Sequence, residues 1–146
     1  MHYLDYIRYK LKYSESQEAV NDILDEKTLI FQRTQPQSSI SDGERVDGGT
    51  RINKTEEYVI ALEQRHINER LAEAKALMMD RLDMLRQKET ELRASTRKED
   101  VIYVLKYLDG LNIKDITHQV SYSEAQVYRV LKIIRRNINM IENDRK

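Results

Sequence analysis

An all-α fold is predicted by three features of the chain. One Pro and four Gly in 146 residues leave few helix breakers, and 34% of residues are charged, as on helices with solvated faces. Apolar residues recur at three- and four-residue spacing, whereas strand-type alternation is scarce. Capping signals then divide the pattern. The expected architecture is an N-terminal helical hairpin over 1–33, a loop over 34–52, a long central helix over 53–95, and a three-helix C-terminal unit over 96–146.

Tyr3, Tyr6, Tyr9 and Tyr13, beside Leu4, Ile7 and Leu11, predict an amphipathic first helix. Arg8, Lys10 and Lys12 lie between the aromatics, a mixture that suits nucleic-acid stacking as well as burial of the tyrosines against the fold. Ser14 followed by Gln17 offers a capping box for a second helix to about Arg33, with Val20, Ile23, Leu24 and Ile30 or Phe31 as its apolar side. These two segments form a hairpin or one bent helix.

The stretch TQPQSSISDGERVDGGTRI has the only Pro and two Asp-Gly steps, and reads as a loop. Its glycines lack the spacing of a phosphate-binding loop, so no nucleotide site is expected. Asn53 and Glu56 open the next helix, which holds without Gly or Pro to about Ala94. Gln64, Leu71, Met78, Leu85 and Leu92 are seven apart, and Ile60, Ile67 and Ala74 complement them. That heptad pattern predicts packing within the chain together with self-association, a dimer being favoured. Arg81 and Lys88 interrupt the second series.

Thr96 with Glu99 marks a new helix start, and a supporting helix carrying Val101, Ile102, Leu105 and Leu108 ends at Asp109-Gly110. Asn112 caps the following helix, with Asp115 near its positive end. Ser123 and Gln126 form a capping box for the last one. Ile113, Ile116, Val120, Tyr122, Val127, Val130 and Leu131 fall where two short helices crossing steeply bury them together, which is helix-turn-helix spacing. Ser121 stands where the turn normally has Gly, and Thr117 where the crossing normally has Ala or Gly. A residue other than Gly is therefore expected in a left-handed or distorted conformation. Ile134, Ile138 and Ile141 extend the apolar face and need a partner surface.

The outward positions of the last helix predict a double-stranded DNA reader. Glu124, Ala125 and Arg129 are nearest base edges, Gln126, Lys132, Arg135 and Arg136 suit phosphates, Tyr128 suits either, and Ser123 begins the helix. The formal charge is zero, but residues 97–146 hold ten Lys and Arg against seven Asp and Glu. A local positive face on a neutral protein steers DNA to one end.

The segment NIKDITHQVSYSEAQVYRVLKIIRRNI resembles the helix-turn-helix of sigma-factor region 4. Taken with the order of elements before it, the chain resembles the RinA/ArpU-type phage transcriptional regulators. That resemblance implies an activator of late phage operons, with host RNA polymerase as a possible second partner. A small packaging-terminase subunit is the alternative, although its DNA-binding part usually comes first. A sigma-like module that docks on polymerase without reading DNA is another, kept open by the acid at Glu124.

No catalytic chemistry is expected. His2, His66 and His118 stand far apart, there is no Cys, and no nucleophile motif is present, so neither an enzyme nor a metal or cofactor site is predicted. No apolar run approaches ~20 residues, and the N-terminus has no signal-peptide core. A cytoplasmic protein of the bacterial host cell, without a membrane partner, is the expectation.

Overall fold

The computed structural model describes residues 1–34 and 54–146, and the described residues are helical, with no strand. The elements are α1 (His2–Thr34), α2 (Lys54–Gln64), α3 (Ile67–Ala94), α4 (Lys98–Tyr103), α5 (Ile113–Val120) and α6 (Glu124–Asn143), with α4 running into a π-helical turn over Val104–Leu108. All but the first residue of the expected 34–52 loop lies outside the described residues, as does the Asn53 cap. No described helix is long and apolar enough to cross a membrane.

Two compact units are present: Met1–Glu15 with Met79–Lys146, and Ser16–Met78. In the first, the start of α1 and the end of α3 surround the C-terminal helices. Tyr3, Tyr6 and Ile7 share a core with Leu92, Ile102, Ile116, Val127, Leu131 and Ile134. The apolar extension at Ile138 and Ile141 packs against this same core. The C-terminal unit thus takes in 79–95 and 1–15 beyond the expected 96–146. In the second unit Ile30, Leu62 and Ile67 form a buried cluster with Ile23, Tyr58 and Ala61 packed around it, and Val20 and Leu71 are buried as well. Glu26 accepts from Arg70 there and pairs with Arg65.

The N-terminal hairpin is corrected to one continuous helix of 33 residues. Ser14 and Gln17 lie in its middle and cap nothing across a break. Strong helix formers surround them, with no Gly or Pro between residues 2 and 34, so nothing releases the backbone into the extended conformation a cap requires.

The single central helix is corrected to two. α2 ends at Gln64, and His66 adopts φ 51° before α3 begins at Ile67. Leu62 and Ile67 are both buried, but five residues along one helix would set them ~140° apart. The left-handed residue between them re-aims the chain so that both enter one core, and His tolerates this better than a branched residue. The heptad register breaks at the same point. Ile60 is 46% exposed while Ile67, Leu71 and Leu92 are buried and Met78 and Leu85 half-buried, so most of the stripe is covered within the chain. The polar interruptions have partners of their own. Arg81 donates to the Lys12 carbonyl at 2.8 Å, and Lys88 donates to Glu91 at 3.0 Å while lying over the Tyr9 ring.

Candidate nucleic-acid interface

The candidate interface is built on α5, a three-residue turn and α6. Asn112 caps α5, its side-chain oxygen accepting the Asp115 amide at 2.9 Å. Ile116 and Val120 are buried on its inner side. The helix closes at Ser121 with φ 57° and ψ 35°, so the position usually given to Gly is left-handed here. Lys98 stabilises this strained corner: its ammonium donates to the Val120 carbonyl at 3.0 Å and lies 5.5 Å from the centre of the Tyr122 ring. A cation at a helix C-terminus satisfies an orphan carbonyl and opposes the negative end of the dipole. Tyr122 in turn packs against the core.

Ser123 then starts α6 with a complete capping box. Its hydroxyl accepts the Gln126 amide at 3.3 Å, and the Gln126 side chain accepts the Ser123 amide at 2.9 Å. Val127, Leu131 and Ile134 are buried. At 100° per residue, the line opposite them runs through Ala125, Arg129, Lys132 and Arg136, all of them exposed. Tyr128, 55% exposed, and Arg135 lie seven residues apart on one flank of that line. Glu124 is exposed at the positive end of the helix. Among the described residues, Arg129, Lys132, Arg135 and Arg136 have no ion-pair partner, whereas Arg70, Arg93 and Arg145 are held by carboxylates of Glu26, Glu89 with Asp109, and Glu15. Among the described residues no carboxylate competes for the four α6 charges. Gln126 makes its expected cap through its side-chain oxygen, which leaves the side-chain N–H groups as its donors.

Residues that sequence reasoning passed over hold this surface in place. Asp100 is fully buried on α4, where its carboxylate accepts the Tyr3 amide at 3.0 Å and the Ser95 hydroxyl at 2.7 Å. One carboxylate thus meets the first turns of both α1 and α4, where helix dipoles favour negative charge. The expected Thr96–Glu99 cap is not formed. Arg97 occupies the cap position without a side-chain bond, and Ser95 accepts the Arg97 amide instead.

Tyr3 carries this connection to α6. Asn137 donates to its hydroxyl at 2.7 Å, and its ring stacks on Tyr103 at 5.4 Å, which stacks on Tyr107 at 4.9 Å. The widened turn after α4, with Asp109 donating to the Val104 carbonyl, leads into the Gly110 cap at φ 69°. Burial pushes the Tyr103 phenol up to about 12, and the neighbouring Tyr6 and Tyr107 add to the shift. Tyr3 and Tyr6 are likewise raised by burial. These tyrosines are engaged in packing, and Tyr9 lies under the Lys12 and Lys88 ammonium groups. The spacing of Tyr3 and Tyr6 was visible in the sequence; their partners, some 100 residues away, left no local signal.

No family model matches the chain, and neither a curated protein nor a solved structure does.

Proposed function

We propose that the protein is a sequence-specific reader of double-stranded DNA and acts as a transcriptional regulator, not as an enzyme. The observation that carries this reading is the exposed line Ala125, Arg129, Lys132 and Arg136 on a helix whose opposite face is buried and whose first turn is capped. Such a helix fits a major groove with its N-terminal turns toward base edges. Arg129 presents two parallel N–H donors to guanine, Ala125 leaves room for a thymine methyl, and Glu124 accepts from cytosine. Lys132, Arg135 and Arg136 take phosphates on either side of the groove. Helices α5 and α6 then form a helix-turn-helix, with α4 as the support. A late-operon regulator of the RinA/ArpU type is the particular role proposed.

The test is fluorescence anisotropy of the full chain against fragments of its own genome, over a range of salt. Preference for one fragment that persists at ~0.2 M salt is expected. Arg129→Ala should weaken that fragment by roughly 5- to 150-fold and relax its specificity, as loss of a bidentate base contact does. Weak, uniform binding abolished by salt and indifferent to Arg129 refutes base reading. Docking on RNA polymerase without DNA, the reading that the acid at Glu124 keeps open, would then be tested by capture of purified polymerase.

A further inference from the structure

The core accounts for most apolar side chains of α6: Val127, Leu131 and Ile134 are buried, and Val130, Ile138 and Ile141 pack against them. Ile133 is different. It is 48% exposed and stands outside the core of this unit. Four residues after Arg129, it lies ~6 Å further along the helix and ~40° around from it, on the outward side. Its neighbours there are cations. Arg129 is four residues before it, Lys132 one before and Arg136 three after, all exposed and without an ion-pair partner among the described residues.

An exposed branched apolar side chain amid unpaired cations fits a partner that is strongly anionic and, at one point, apolar. The major groove has that combination, with phosphates along its walls and the thymine C5-methyl group on its floor. A carboxylate-bearing protein surface would satisfy the cations and leave Ile133 unmatched. We infer that Ile133 is a specificity-determining residue that reads a thymine methyl close to the guanine taken by Arg129. The inference rests on the DNA reading proposed above and adds a second base to it. At 3.4 Å per base pair, the ~6 Å between the two side chains spans about two steps, so the thymine lies within two base pairs of that guanine. Ile133 also selects against the alternative pyrimidine. Cytosine would set its N4 amino group, a donor, against a side chain that offers no acceptor.

The test uses the full chain and a duplex cut from the fragment it prefers. Arg129→Ala first locates the guanine, as the position where specificity relaxes. Each thymine within two base pairs of it is then replaced by deoxyuridine, which removes the methyl and leaves every hydrogen-bonding group in place. Fluorescence anisotropy should show one such uracil weakening wild-type binding by roughly 3- to 10-fold. Ile133→Ala, with unchanged helical circular dichroism, should bind the thymine and uracil duplexes equally while still preferring guanine at the Arg129 position. Because the base is altered as well as the protein, a loss of folding does not imitate this coupling. An operator with no thymine within two base pairs, uracil without effect, or an equal uracil penalty for wild type and Ile133→Ala each overturns the inference and leaves the DNA reading standing. Absence of a preferred fragment, or of a guanine tied to Arg129, overturns both.

Discussion

Replacing Asp100 by Ala removes the carboxylate on which the start of α1, Ser95 and α4 converge. The side chain is fully buried and accepts two hydrogen bonds, from the Tyr3 amide at 3.0 Å and the Ser95 hydroxyl at 2.7 Å. Hydrogen bonds to a charged group contribute about 1.5–3 kcal/mol each, and a buried donor left without an acceptor adds a desolvation penalty. Part of that loss is recovered where Ser95 turns to water, so the expected cost is about 3–4 kcal/mol. For a unit of this size that corresponds to a fall in Tm of roughly 12 °C or more. Asp100→Asn keeps an acceptor for Tyr3 but gives up the negative charge at two helix N-termini, and should cost about 1–2 kcal/mol. The assay is thermal and urea unfolding followed by the near-ultraviolet circular dichroism of tyrosine, since Tyr3, Tyr6, Tyr103 and Tyr107 lie in this unit and the chain has no Trp. An Asp100→Ala variant within about 1 kcal/mol of wild type would refute the reasoning.

Three further outcomes follow from the same geometry. Ser121→Gly should stabilise the chain by about 0.5–1 kcal/mol in urea unfolding, because the left-handed conformation at φ 57° carries no Cβ penalty for Gly; a loss would mean that Lys98 and Tyr122 require the serine backbone as it stands. Alkaline pH should destabilise the first unit. With the Tyr103 phenol raised to about 12 in the folded state, its stabilising contribution is fully present below the unfolded value near 10 and disappears as pH rises toward 12, amounting to ~2–3 kcal/mol; a tyrosinate titration at 295 nm in which every phenol ionises near 10 contradicts it. The isolated fragment 96–146 should show no cooperative melting, because it lacks Tyr3, Tyr6, Ile7 and Leu92 from its core; a sharp transition in that fragment would show that α1 and α3 are dispensable.

The C-terminal turn was the most legible part of the chain. Asn112, Ser123 and Gln126 act on amides three residues away, and Ser121 is left-handed where α5 ends at Val120 and α6 starts only three residues later, after the Ser123 cap. These are local effects, and local chemistry is written in adjacent residues. The outward set on α6 followed for the same reason, since helical geometry converts residue number directly into direction.

Long-range coupling was not legible. Tyr3 meets Asp100 and Asn137 across 97 and 134 residues, and no propensity or spacing rule reports which distant surface an apolar face will find. The break at His66 belongs to the same class. Local composition favoured one uninterrupted helix, and the chain turns there because Leu62 and Ile67 gain more from sharing one core than the backbone loses in a left-handed residue. Sequence alone therefore determined the helical class, the caps of α5 and α6 and the direction of the basic face, each a consequence of contacts within one or two turns. Tertiary structure decided where α1 runs unbroken, where the central helix divides, and which residues form the floor beneath α6, because those outcomes depend on burial among residues that only the folded chain brings together.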